Sequence, residues 1–144
     1  MKSEKQLQVL LADLAVLNVN VHNLHWNVEG PAFKPTHVFL EEMYEDLFTK
    51  FDDVAELIKT NGGSPAASLK EYLELSKVEE YADRNWTVAE AFGESKKILE
   101  YLINSALEIR KTASDADEFT VANIMEDYVH DWQKTLWMVN AALK

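Results

Sequence analysis

The chain contains no cysteine. That excludes both a disulfide framework and a thiolate metal site, and it suits a reducing cytosol. Only four glycines and three prolines punctuate 144 residues, which favours a few long elements over many turns. No basic-then-apolar leader opens the chain, and no stretch reads as about 18 consecutive apolar residues. The expectation is a soluble cytoplasmic protein without a membrane span. Positive charge is also scarce, with 14 Lys and Arg against 25 Asp and Glu, a net −11. Such a surface repels phosphate backbones and attracts cations.

What is present is helical periodicity, on a length suited to one domain over residues 1–144. A first helix is expected over about residues 3–28, with Leu7, Leu11, Leu14 and Val21 on one stripe. Ser3 and Gln6 read as a capping box at its start, and Gly30-Pro31 as its end. A second helix is expected over about 36–60, with Leu40, Tyr44, Leu47, Phe51, Val54 and Ile58 as its seam. A third is expected over about 87–112, opened by a Thr87–Glu90 capping box, with Phe92, Leu99, Leu102, Ala106 and Ile109 on its seam. The fourth is expected over about 115–143, carrying Val121, Met125, Tyr128, Trp132, Thr135 and Val139. No strand pattern stands out. The first and third connections are short, whereas the middle one is long and holds a short amphipathic stretch at about 68–75. An all-α four-helix bundle with one long crossover is the ferritin-like connectivity.

The chemistry-bearing residues gather in the first two helices. His25 lies on the apolar stripe four residues after Val21, and His37 and Glu41 are four apart, as are Asp52 and Glu56. At about 100° per residue, His37, Glu41, Phe48, Asp52 and Glu56 share about 100° of arc on the second helix. That arc lies to the side of the core seam. Neutral imidazole and carboxylate are the ligands of non-haem iron. His37 and Asp52, however, stand about 22 Å apart along one helix at about 1.5 Å per residue. They can share an ion only if a second copy of the helix lies antiparallel, about a two-fold axis near Glu45 and Asp46. His37 and Glu41 of one chain then face Asp52 and Glu56 of the other, and an isologous contact makes two such sites. A lone histidine on an apolar face is more often a core residue, and acids four apart are more often a solvated face.

The run His22-Asn23-Leu24-His25-Trp26-Asn27-Val28, Gly30, Phe33, His37, Glu41, Tyr44, Asp52 and Ala55-Glu56 closely resembles the Dps family of mini-ferritins. The resemblance extends to Leu136-Trp137-Met138 near the end. It implies a hollow shell of twelve subunits. It also implies oxidation of ferrous iron at the dimer interface, with hydrogen peroxide or oxygen, and storage of the ferric mineral inside. The ligands it implies are His25, His37 and Glu41 from one chain with Asp52 and Glu56 from its partner. His22 matches a position that assists a second, weaker metal site. Trp26 resembles an electron-donating aromatic beside the centre, although interface packing accounts for it equally well. Asp115, Asp117 and Glu118 are candidates for an acidic three-fold entrance, against a plain role at a helix N-terminus. Asn123 departs from the acid that relatives often carry, which implies a less acidic entrance.

Three other readings compete. A ferritin with its di-iron centre inside one bundle needs inward Glu-x-x-His motifs, and the nearest approach, Asp127 and His130, falls on an outward face. A nucleoid-binding protein needs a cluster of cations, yet only Lys2, Lys5 and Lys144 lie near the termini. Direct DNA binding is therefore not expected. A metal-free structural bundle is the third reading.

Overall fold

The computed structural model describes residues 1–144 and contains five helices: α1 (Glu4–Asn27), α2 (Phe33–Thr60), α3 (Leu69–Leu75), α4 (Val88–Asp115) and α5 (Phe119–Ala142). Two two-residue strands, β1 (Val28–Glu29) and β2 (Trp86–Thr87), pair in parallel, a feature with no sequence periodicity to announce it. By contact the chain forms two compact units, Gln8–Ala91 and Met1–Leu7 with Phe92–Lys144.

The helix ends differ from the sequence expectation for local reasons. α2 begins at Phe33 rather than Thr36, with Pro35 inside its first turn. Proline is tolerated there because first-turn N–H groups have no helical acceptor. The chain enters α2 through Gly30 at φ 105° and Ala32 at φ 67°. α2 closes as the glycines predict. Gly62, at φ 87°, donates to the Lys59 carbonyl, and Gly63 to that of Ile58, which is a Schellman ending. α4 runs on to Asp115, where the sequence suggested the next helix beginning. Asp117 takes the left-handed position at φ 57°, and Glu118 N–H donates to the Ala113 carbonyl at 2.8 Å. The same ending is thus built with an aspartate, whose short polar side chain tolerates that conformation.

In the Gln8–Ala91 unit, α1 carries both the core and the fastenings of the long connection. Leu10, Leu11, Leu14, Leu17, Val21 and Leu24 are buried, as are Leu40, Leu47, Val54 and Ile58 of α2. The irregular connection has peptide groups that no helix satisfies, and buried peptide groups need partners. Polar side chains of α1 supply them. Gln8 bonds Ser64 O and Ala66 N–H, and buried Asp13 accepts from Ser76 Oγ and Lys77 N–H, both at 2.8 Å. Asn20 joins Glu79 O to Tyr81 N–H. Asn23 donates to Ala82 O and accepts from Trp86 Nε1. The unit ends in the expected capping box, with Thr87 N–H on Glu90 at 2.9 Å and Glu90 N–H on Thr87 Oγ1 at 3.0 Å. Arg84 adds an ion pair to Glu90 and stacks over Trp86. Hydrogen bonds from the Thr87 backbone and Arg84 hold the Glu90 carboxyl below its ordinary range.

The other unit holds the α4–α5 hairpin from Phe92 onward and the first turn of the chain. Leu99, Leu102, Ala106 and Ile109 of α4 are buried, as are Val121, Met125, Tyr128, Trp132 and Val139 of α5. Asp127 and His130 are exposed. The Ser3–Gln6 capping box does not form. Ser3 Oγ instead donates to Glu118 at 2.6 Å, and the Ser3 and Lys2 N–H groups donate to the same carboxylate. Glu118 thereby caps α1 from a distance, satisfying donors that the helix start leaves free.

Over residues 4–27, α1 is long and apolar enough on average to cross a membrane, although polar residues such as Asp13 and Asn20 interrupt it, and 61% of its most apolar window is buried in the protein. Its apolarity serves the core.

Candidate metal centre

All five expected ligands lie in the Gln8–Ala91 unit. His25 is near the end of α1, and His37, Glu41, Asp52 and Glu56 are on α2. His25 is buried at 5% exposure, His37 and Glu41 are half-buried, and Asp52 and Glu56 are exposed.

The two imidazoles are tied to each other's backbone. His25 Nδ1 donates to the His37 carbonyl at 2.7 Å, and His37 Nδ1 donates to the His25 carbonyl at 2.8 Å. Their rings stack with centroids 3.7 Å apart. A carbonyl accepts only, so each Nδ1 carries the proton and each Nε2 keeps its lone pair. That is the tautomer a metal-ligating histidine needs, and such a backbone bond commonly orients one. His22 is set the same way, with Nδ1 on the Asn18 carbonyl at 2.7 Å.

Tyr44 joins these groups. Its ring stacks on His22 at 3.7 Å and meets His25 edge-on at 5.2 Å. Its hydroxyl lies 3.5 Å from Glu41 Oε1. Burial, then the negative charges of Glu41 and Glu45, push its phenol above the ordinary value. Asn18 Nδ2 donates to the Tyr44 carbonyl at 2.8 Å, which ties α1 to α2 beside the site. The sequence motif contains Tyr44, but neither its role nor that of Asn18 was readable there. Spacing three residues after Glu41 was the available signal. Rings continue outward at both ends, with Trp26 at 5.2 Å from His22 and Phe33 at 5.1 Å from His37. Trp26 is 66% exposed.

Asp52 and Glu56 form a second group. A hydrogen bond with Asp52, then its negative charge, raises the Glu56 carboxyl above the ordinary range. Two carboxyls side by side without a cation favour sharing a proton. Neither has an ion-pair partner. Within one chain, no three His, Asp or Glu side chains converge to hold a metal ion. The structure therefore sets His22, His25 and Glu41 each against Tyr44, stacks His37 on His25, brings Asp52 to Glu56, and leaves the two groups separate.

The entrance candidates have local partners. Glu118 is held by three hydrogen bonds at the chain start. Burial works to raise its carboxyl, and the bonds from Ser3 and Lys2 outweigh it, so the carboxyl titrates low. Asp115 pairs with Lys111 at 3.1 Å on an exposed surface. Asp117 is exposed in the α4–α5 turn.

Comparison with known proteins decides the family. The model for the ferritin-like domain matches residues 4–144. The DNA protection during starvation protein of Helicobacter pylori is 34% identical, over 99% of either chain. The crystal structure of a Dps protein from Bacillus brevis superposes with a TM-score of 0.90 at 32% identity, over 100% of both chains. The chain belongs to the Dps mini-ferritins of the ferritin-like family. Its helices adopt that fold, with the long crossover carrying α3. Another Dps structure, from Vibrio cholerae O1, has a TM-score of 0.93 at 30% identity over 99% of this chain and 91% of its own. It is described as a member of a broad superfamily of ferritin-like diiron-carboxylate proteins.

Proposed function

We propose that this mini-ferritin oxidises ferrous iron at sites shared by two protomers and stores the ferric product inside a closed shell of twelve. Iron is the substrate. His25, His37 and Glu41 of one protomer bind it together with the partner's Asp52 and Glu56, and His22 assists a second, weaker position. The supporting observation is the division of α2 into two incomplete halves. One half presents imidazoles with free Nε2 lone pairs. The other presents two carboxyls that crowd each other and lack a cation. Antiparallel pairing of α2 with a second α2 completes both.

Hard carboxylates stabilise ferric over ferrous iron. Two irons about 3.5–4 Å apart can act on one peroxide. Each iron gives one electron, and the two electrons with two protons reduce hydrogen peroxide to two waters, so no hydroxyl radical is released. Trp26 donates an electron when a site holds only one iron. Iron enters past Asp115 and Asp117, while Glu118 serves the chain start. Relatives named for DNA protection suggest the benefit, which here comes from removing iron and peroxide. A net charge of −11 disfavours direct binding to a phosphate backbone.

The test is ferrous titration with peroxide or air, followed by ferric absorbance. Rapid development in the parent and its loss in Asp52→Ala with Glu56→Ala is the expected result. Equal rates in both proteins overturn the assignment. A gel shift showing tight DNA binding at physiological salt overturns the indirect route to protection.

A further inference from the structure

We propose that Phe48 of each protomer seats in a hollow of its partner lined by Asn18, His22, Tyr44 and Glu45, and so closes the shared site at its centre. The inference takes its register from the proposed iron site and adds an occupant that the iron chemistry does not require.

Phe48 is a large apolar side chain on a largely polar face, and it is 60% exposed. Beside it lies a hollow of about 470 Å³ bounded by Asn18, His22, Tyr44, Glu45, Phe48 and Thr49. One wall is the stacked His22–Tyr44 pair, a flat aromatic surface that suits an offset or edge-on third ring. Glu45 makes no ion pair in the chain and stands at the rim. A carboxylate there meets the positive edge of an inserted phenyl ring rather than its negative face.

The register places the ring over this hollow. The outward stripe of α2 runs His37, Glu41, Glu45, Phe48, Asp52, Glu56, and it is symmetric about the Asp46–Leu47 peptide. Reversing one copy about that point sets His37 against Glu56 and Glu41 against Asp52, the pairing that completes the metal halves. The central pair is then Phe48 against Glu45, with Thr49 against Tyr44. Being within one turn of the axis, this contact tolerates a wide range of crossing angles. A two-fold contact is isologous, so two rings fill two hollows. The seated ring covers the face of His22 and keeps water from the Tyr44–Glu41 contact.

The absence of native cysteine makes the register directly testable. Chains carrying Phe48→Cys and size-tagged chains carrying Glu45→Cys are co-expressed, assembled and mildly oxidised. A disulfide needs Cα atoms about 4.4–6.8 Å apart. The expected result is a mixed-size dimer on a non-reducing gel, several-fold stronger than for Phe48→Cys with Lys59→Cys. A mixed band no stronger than that control overturns the proposal. Phe48→Ala should also dissociate at protein concentrations at least tenfold higher in sedimentation, with helicity kept, and an unchanged midpoint would count against the seat. The two readings fail separately. A raised dissociation midpoint in Phe48→Ala, with oxidation undiminished in the Asp52→Ala, Glu56→Ala variant, keeps the seat and removes the iron site. Lost oxidation in that variant with an unchanged Phe48→Ala midpoint does the reverse.

Discussion

The acids of α2 and those of the α4–α5 hairpin live in different circumstances. On the hairpin, Glu126 pairs with Arg110 at 2.9 Å, Asp115 pairs with Lys111, and Glu118 holds three donors of the chain start. On the outward stripe of α2, Glu41 meets only the Tyr44 hydroxyl, Asp52 and Glu56 meet each other, and Glu45 has no ion pair. On the proposed function, the carboxylates that α2 leaves without cations, on the same stripe as its oriented imidazole, serve a second protomer. Glu126 and Glu118, which find Arg or N–H groups locally, serve the fold.

Breaking the α2 set should have the largest effect. Asp52→Ala with Glu56→Ala is expected to slow ferrous oxidation by about 100-fold or more while circular dichroism is retained, since even residues that only support ligands are worth about 10–100-fold. Tyr44→Phe keeps the ring stack and removes the hydroxyl beside Glu41. It should slow oxidation by about 10-fold at most, read in the same ferric absorbance assay, with thermal stability close to the parent. Adding Zn²⁺ at about 100 times its dissociation constant should raise stability by about 2.7 kcal/mol. In the Asp52, Glu56 double variant that gain, read as a rise in melting temperature, should shrink sharply.

Breaking the hairpin set should alter stability and spare the chemistry. Glu118→Ala removes the remote cap of α1 and should cost about 1–2 kcal/mol in denaturant unfolding, with oxidation per assembled shell unchanged. The folded-state carboxyl of Glu118 titrates below its ordinary value. Its contribution is therefore present above the ordinary carboxylate range and is lost as pH falls through the lowered value. The variant should show a shallower acid limb than the parent in the same measurement. Thr87→Ala, at the start of α4, should cost about 1 kcal/mol and leave both comparisons intact.

Much of this was legible in the chain itself. Leu40, Leu47, Val54 and Ile58 of the α2 seam are buried, as are Leu99, Leu102, Val121, Met125 and Trp132, because helical periodicity reports burial directly. The Thr87–Glu90 box was readable because both partners lie within one turn. Ser3 was misread because its partner, Glu118, is remote in sequence, and local rules rank only neighbours. Lys50 is 5% exposed and ion-paired to Asp46, and nothing in spacing distinguishes a buried, paired lysine from a solvated one. Helix geometry alone put His37, Glu41, Asp52 and Glu56 on one face of α2 and the two pairs too far apart to share an ion within one chain. The imidazole tautomers were not legible, because they depend on which carbonyl each ring reaches across the α1–α2 turn.

The hold of Glu118 on the first residues also decides where anything fused ahead of Met1 would leave the protein. Such a peptide would emerge at the α4–α5 turn, next to Asp115 and Asp117. A polyhistidine tag there would sit beside those two carboxylates and, on the proposed entry route, would compete for incoming metal.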